Sequence, residues 1–296
     1  MHTLSIGIAA YNEEKNINSI LNNLIDQNFR NIKLDKIIVY LDGSTDNSSD
    51  EVKKIKSKKI ILIDAKKNHG KAYGLNQIIS SVNSDCLVLL DADISFDKNF
   101  IYKLTKPVFD KKADLTSGGI DPIDEDNFLP KVLCHSFKIK NDIFENYKNG
   151  DNVFTCHGAH RAFSKEYYSK LKFKENTCED SYSYLFCITS GFTYKYVKSA
   201  RINLKLPTNL DDHKKQSQRF FTSIQVLYKH FNPQFIKNAF SFPKIIFAKQ
   251  LTKWLIKSPV LTVSYLFLTI WMILESKFKN GRTDVWAPSI TTKTLS

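Results

Sequence analysis

The run Cys86-Leu87-Val88-Leu89-Leu90, followed at once by Asp91-Ala92-Asp93, restricts the fold more than any other stretch of the chain. Five apolar residues without a polar interruption read as a strand buried on both faces, as in mostly parallel sheets covered by helices. Ligands of such sheets bind just past the carboxyl ends of the strands. There the run stops on two carboxylates spaced i, i+2. Side chains two apart in an extended segment point the same way, so Asp91 and Asp93 can share one hard cation such as Mg2+ or Mn2+. Taken alone, the triplet also fits a polar loop that merely closes a strand.

The residues before this run repeat its pattern. Leu4 to Ala10, Ile37 to Leu41 and Ile60 to Ile63 are further strand candidates. Between them, Ile17, Ile20, Leu21, Leu24 and Ile25 keep helical spacing, as do Leu75, Ile78, Ile79 and Val82 within 70–82. Asn12 suits the cap of the first helix, with Glu13 and Glu14 at its positive end. Strand and helix thus alternate four times within about 95 residues, the pattern of a doubly wound, mostly parallel α/β sheet flanked by helices. Beyond Asp93 the pattern loosens. Helices are expected at 100–109, at 162–171 and after Glu179-Asp180, with short strands at 115–119, 153–156 and 194–197 and a loop at 120–130.

Charge narrows the partners. Forty-three Lys and Arg against thirty Asp and Glu leave +13, which favours an anionic ligand or surface. Between Arg201 and Lys257 there are eleven basic and two acidic residues, so nine of the excess charges lie there. Residues 229–257 mix Phe and Trp with lysines, a basic amphipathic stretch suited to the headgroup layer of an anionic membrane or to packing on the domain. Residues 258–274 carry no charge, and 258–276 form a candidate transmembrane or membrane-embedded helix, ahead of a polar tail at 277–296. Residues 1–228 would then be the catalytic domain. Cys86, Cys134, Cys156, Cys178 and Cys187 form no CxxC pair and read as reduced core thiols of a cytosolic compartment. The residues read as a first strand begin almost at the first position given, so no cleavable leader is expected.

The chemistry follows partly by elimination. No GxGxxG follows the first strand and no GxxxxGK[ST] occurs, so dinucleotide oxidoreductases and P-loop NTPases lose their main support. Carboxylates close successive strands instead: Asp42 after the second, Asp91 and Asp93 after the fourth. Such a set suits a nucleoside diphosphate with its metal, one acid accepting from base or ribose and the pair holding the cation.

Ser5 to Glu14, Asp42-Gly43-Ser44-Thr45-Asp46, Gly70-Lys71-Ala72 and Asp91-Ala92-Asp93 resemble, in order, the signatures of family 2 glycosyltransferases of the GT-A fold. His157 to Phe163 resembles the family's glycine-bearing acceptor segment, Glu179-Asp180 its Glu-Asp motif and Gln216-Ser217-Gln218-Arg219-Phe220 its QxxRW box. The resemblance implies transfer of a sugar from a UDP- or GDP-linked donor, with inversion, to a hydroxyl of a lipid-linked or membrane-proximal glycan. It implies that Ala10, Tyr11 and Glu13 line the nucleotide pocket, that Asp42 binds base or ribose and that Lys71 lies near uridine or phosphates. Asp91 would contact the sugar or ribose, Asp93 would bind Mg2+ or Mn2+ with Asp91 able to join it, and Asp180 would be the general base. Gly158 and Glu179 would belong to the substrate-binding set, and Gln216 and Arg219 would hold the diphosphate or acceptor.

Two positions depart from the family: Leu41 stands where an acid is common, and Phe220 replaces the Trp of the box. A membrane-associated enzyme with its catalytic domain on the cytoplasmic side and membrane lipids among its partners is the reading these features favour. A polyprenyl-phosphate sugar synthase is the rival among enzymes, since its anionic acceptor needs no base. A nucleotidyltransferase would want a Gly-rich first loop, which is absent. A non-enzymatic binder of membrane or nucleic acid could use the +13 charge, but acids at strand ends would repel phosphate, so nucleic acid is not expected as a partner.

Overall fold

The computed structural model describes residues 1–278, and within them not the side chains of 219–223 and 276–278. The first part of the chain runs β1 (His2–Ala10), α1 (Ile17–Ile25), β2 (Ile32–Asp42), α2 (Ser48–Lys53), β3 (Ile60–Ala65), α3 (Lys71–Ser80), β4 (Cys86–Leu90). The four expected strands and the helices between them are all present. Alternate residues of each strand serve opposite faces. Leu4, Ile6 and Ile8 of β1, Val39 of β2 and Val88 of β4 join Ile17, Ile20 and Leu24 of α1 in one apolar layer. Ile38, Tyr40, Leu87 and Leu89 join Leu75 and Ile78 of α3 in the other. Both faces are covered, which is why these strands read as apolar runs.

The chain continues with β5 (Ile94–Phe96), α4 (Phe100–Phe109), β6 (Leu115–Pro122), α5 (Phe128–Phe144), β7 (His160–Ser164), α6 (Lys165–Tyr168), α7 (Glu179–Thr189) and β8 (Tyr194–Leu204). It then forms α8 (Leu210–Leu227), α9 (Pro233–Ala239), α10 (Lys244–Lys257) and α11 (Pro259–Phe278). One sheet of eight strands results, in the order β3-β2-β1-β4-β7-β6-β8-β5. The parallel part ends at β4. Strand β7 runs antiparallel to both β4 and β6, and β5 antiparallel to β8, so only the β6–β8 pairing is parallel beyond it.

Several expectations beyond Asp93 are corrected. The strand expected at 153–156 is a 3-10 turn, Val153–Thr155, because the Asn152 carboxamide accepts from the Phe154 N–H and donates to the Phe144 and Tyr147 carbonyls. The helix expected from Ala162 begins only at Lys165, since Ala162 and Phe163 pair with Val88 and Leu87 of β4. Residues 120–130 are not one loop: β6 extends to Pro122 and α5 starts at Phe128. Asn12 does not cap α1; it takes φ +54° and accepts from the Thr45 N–H at 2.7 Å, while Asn16 occupies the cap position.

The C-terminal reading also changes. Residues 229–257 are not one helix, because α9 ends at Ala239 and Pro243 precedes the start of α10. Among the described residues no helix is long and apolar enough to cross a membrane. The stretch 258–276 is, from Pro259, one continuous helix, α11, in which Thr262, Ser264 and Thr269 lower the apolarity, and Leu268 and Met272 on its inner side pack against Val132 and Leu133 of α5. The tail from 279 lies outside the described residues.

Candidate active site

Register brings the acids to one rim of the sheet. Ala10 pairs with Leu41, Ile8 with Leu90, and Leu90 with His160. The ends of β1, β2 and β4 and the start of β7 therefore share an edge, and Asp42, Asp91 and the His157–His160 segment sit along it. The Asp91 N–H donates to the Ala159 carbonyl at 2.9 Å, tying β4 to that segment directly.

On the β1–β2 side, backbone and short polar side chains interlock. The N–H groups of Asn12 and Glu13 donate to Ser44 Oγ and Ser48 Oγ at 3.0 and 2.8 Å. Ala10 is buried at the end of β1, Tyr11 is partly buried beside it, and buried Glu13 accepts from Asn16 Nδ2 at 2.9 Å. Asp42 is fully buried, and its two oxygens accept from the His69 and Gly70 N–H groups, each at 2.8 Å. Both oxygens are thus engaged by the main chain, and the side chain presents no open surface. Gly43 is required there: φ is +70°, and a Cβ would come within 2.6 Å of backbone atoms of Lys67 and Asn68. Beside Asp42, the rings of His69 and Tyr73 stack at 4.6 Å and both remain open to solvent.

At the centre of the rim, Lys71 Nζ meets Asp91 Oδ1 at 2.6 Å. Burial opposes the ammonium charge, but the carboxylates of Asp91 and Glu179 outweigh it and hold Lys71 above its usual range. Lys71 thus lies between the acids of the two halves of the sheet. Asp93 is pushed up to about 7, by burial first and then by Asp91 and Glu13. Crowded carboxylates with too little positive charge fit a cation. Among the described residues no group of three His, Cys, Asp or Glu has metal-holding geometry. The chain would therefore contribute one or two carboxylates, Asp93 with Asp91, which suits Mg2+ or Mn2+ completed by substrate phosphate and water.

Across the rim, Glu179 and Asp180 occupy the first turn of α7, where the helix dipole favours negative charge. Gly158 faces Asp180: a Cβ on it would lie 3.8 Å from Asp180 Oδ2, so glycine keeps the space before that carboxylate open. Behind them stands Arg161, fully buried. Its Nη1 donates to the Glu179 carbonyl at 2.7 Å and to Ser183 Oγ at 2.9 Å, and Nη2 reaches the Gly158 carbonyl at 3.4 Å. Its guanidinium carbon lies 5.7 and 5.5 Å from the ring centroids of Phe163 and Phe173. Arg161, His69 and Tyr73 were not marked as site residues by motif reading. A basic residue inside a strand-like stretch carries no local signal of what it will hold, although His69 adjoins the Gly70-Lys71 pair.

His157 and His160 are neutral. Burial pushes His157 down to about 4 against the opposing Glu145 carboxylate, and pushes His160 down to about 3 with His157 adding to the effect. The Gly118 N–H donates to His160 Nε2 at 3.0 Å, and Nδ1 of that ring is buried without a partner. Gln216 is exposed on α8, no described contact brings it to the acids, and the Arg219 side chain lies outside the described ones.

A mixed sheet with a parallel half, strand-end acids on its rim and a further acid pair at the start of α7 suits a ligand that carries charge. The family model of glycosyl transferase family 2 matches residues 5–172, and the chain belongs to that family. It is a glycosyltransferase. The poly-beta-1,6-N-acetyl-D-glucosamine synthase of Staphylococcus aureus strain COL is 35% identical over 96 residues, which are 32% of this chain and 23% of that protein. The match thus spans about a quarter of that relative's length. The mannosyltransferase PcManGT of Pyrobaculum calidifontis, solved with GDP-Man and Mn2+, superposes with a TM-score of 0.61 at 16% identity, covering 93% of this chain and 82% of that one. S. aureus TarS 1–349 with UDP-GlcNAc gives 0.60 at 15% identity, covering 86% and 72%. At such identities the structural likeness shows the fold alone.

Proposed function

We propose that the chain transfers a sugar from a UDP- or GDP-linked donor to a hydroxyl of a lipid-linked or membrane-proximal glycan, with inversion. The observation that carries this reading is Lys71, which pairs with Asp91 and also feels the Glu179 carboxylate, while Asp91 and Asp180 flank the Gly158–Ala159 segment from its two sides. The GDP-Man bound by PcManGT, the UDP-GlcNAc bound by TarS and the polymer named for the staphylococcal synthase support the substrate class.

The roles follow from the chemistry. Ala10, Tyr11, Glu13 and Asp42 bound the nucleotide side, with the open His69–Tyr73 pair beside Asp42 as an aromatic surface for a base. Lys71 offsets phosphate charge once Asp91 turns to the sugar or ribose. A divalent ion held by Asp93, with Asp91, would neutralise the diphosphate as it departs. Asp180 accepts the proton of the acceptor hydroxyl, a contribution on the order of 10²–10⁴ in rate. Glu179 and the open space at Gly158 receive the acceptor, and Gln216 and Arg219 serve the diphosphate or acceptor when α8 faces a loaded site. Five buried cysteines that form no disulfide support placement on the cytoplasmic side of a membrane.

The test is a thermal-shift series with UDP- and GDP-sugars, with and without Mn2+, at pH 6 and pH 8. A ligand that binds only the folded state raises Tm. Because Asp93 loses its proton near pH 7, the Mn2+-dependent shift should be larger at pH 8. No shift with any nucleotide sugar, at either pH, would remove the donor reading.

A further inference from the structure

Helix α11 has two unlike faces. On the inner one, Leu268 and Met272 pack with Val132 and Leu133 of α5, and buried Thr262 shares a hydrogen bond with His135 Nε2 at 2.8 Å. On the outer one, Val260, Val263, Phe267, Ile270, Trp271 and Leu274 are each at least a third exposed, Phe267 to 73%. At 3.6 residues per turn these six fall within an arc of about 100°. A stripe of this size facing solvent marks an interaction surface.

The surroundings say what it meets. From Pro233 to Leu274 the chain has five lysines and no acid. Lys244, Lys249 and Lys257 of α10 are exposed, and so is Ile256 at 80%. Large apolar residues flanked by lysines suit a layer that is apolar inside and negative at its rim. The inner face is fixed to α5, so lipid cannot surround α11, and among the described residues no helix can cross a bilayer. The remaining arrangement is a helix lying in the plane of the surface.

We propose that the outer face of α11, with the lysines of α10, docks the protein flat on an anionic lipid bilayer. The docking helix is coupled to the cleft. Lys214 of α8, the helix that carries Gln216, pairs with Glu275 of α11, and Lys140 of α5 lies 5.9 Å from the Tyr265 ring centroid of α11. A docked α11 therefore holds α5 and α8 beside the bilayer, where a lipid-linked acceptor would approach. The docking surface itself does not depend on which sugar or nucleotide the site uses.

The test is sedimentation of the full chain with phosphatidylcholine vesicles, with and without phosphatidylglycerol, together with light scattering. The wild type should partition onto the anionic vesicles, weakly onto neutral ones, and less as salt rises from about 0.05 to about 0.5 M. Phe267→Ser/Ile270→Ser should lower binding to anionic vesicles at least about tenfold, and Lys244→Gln/Lys249→Gln about tenfold. Both should keep the wild-type Tm and the wild-type thermal shift with nucleotide sugar, which separates loss of docking from loss of the donor site. Failure of the wild type to sediment with anionic vesicles would overturn the proposal, as would unchanged binding by Phe267→Ser/Ile270→Ser. So would a dimer that these substitutions dissolve while the wild type ignores vesicles, which would make the face a contact between copies.

Discussion

The two halves of the sheet are built on different plans. From β3 to β4 the strands are parallel, β1, β2 and β3 are each followed by a helix, and the acids Asp42 and Asp91 stand at or just past a strand's carboxyl end. From β7 to β5 the strands mix directions, and the acids Glu179 and Asp180 come from a helix start positioned by an arginine on a neighbouring strand. The parallel half makes its site by repetition. The mixed half makes its site by long-range pairing, with β7 inserted between β4 and β6. A site made by repetition tolerates a local change at one strand end, while a site made by pairing depends on a few buried contacts.

The sharpest separation of the halves is Asp180→Asn. Transfer to a hydroxyl should fall on the order of 10²–10⁴, while the thermal shift with donor and Mn2+ stays at the wild-type value. Retained transfer to a phosphate acceptor would instead favour the polyprenyl-phosphate synthase reading, since a phosphate needs no base. Equal loss of donor binding would mean that the two halves do not act separately.

Acid should strike the mixed half next. His157 and His160 are depressed in the folded chain by burial. Their neutral forms contribute stability that is complete above the ordinary histidine range near 6.5 and is lost as pH falls through about 4 and about 3. Below about 6.5 each ring should remove up to about 1.4 kcal/mol per pH unit, read as a falling Tm between pH 6.5 and pH 4. Replacing both by Gln should flatten that slope.

Arg161 tests positioning. Arg161→Met leaves the Glu179 and Gly158 carbonyls and Ser183 Oγ without their buried donor, so a stability loss of about 1–3 kcal/mol is expected, read as a lower Tm. With the start of α7 no longer held, kcat should fall about ten- to a hundredfold. KM for the donor should stay near the wild-type value, because Arg161 holds the start of α7 and not the β1–β2 side. Arg161→Lys should recover part of kcat. A Tm loss with unchanged kcat would make the residue merely structural.

The smallest effect belongs to the parallel half. Gly43→Ala places a Cβ against the Lys67–Asn68 backbone at a positive φ, and a stability loss of about 1–2 kcal/mol is expected from the left-handed conformation alone. A chemical denaturation curve would measure it. A neutral result would show that the loop carrying His69 and Gly70 can yield without loss.

The same contrast explains what the sequence revealed. β1, β2, β3 and β4 were legible because each is buried on both faces and needs an unbroken apolar run, and α1 and α3 because one face of each is buried. The rim acids were legible because they end those runs. Helix α5 was hidden by its start: Asn127 gives no side-chain cap bond, and Pro122 and Pro130 make the segment look like a loop. β7 was hidden because its residues are polar and apolar in mixed order, and only pairing with β4 shows them as a strand. Arg161 carried no signal because its partners are carbonyls and a hydroxyl brought in from residues 158, 179 and 183. The uncharged stretch at 258–274 matched membrane-spanning length, but its amphipathic arrangement shows only when α5 is seen against its inner face.

The bond between the Asp91 N–H and the Ala159 carbonyl has a mechanical consequence. It clips the leading edge of one sheet half to the trailing loop of the other at the line where a reacting pair would sit. It keeps Asp91 at a main-chain spacing from the Gly158–Ala159 segment that faces Asp180. Under the proposed reading, the donor side and the base side are then set by backbone, and the side chains around them choose what enters.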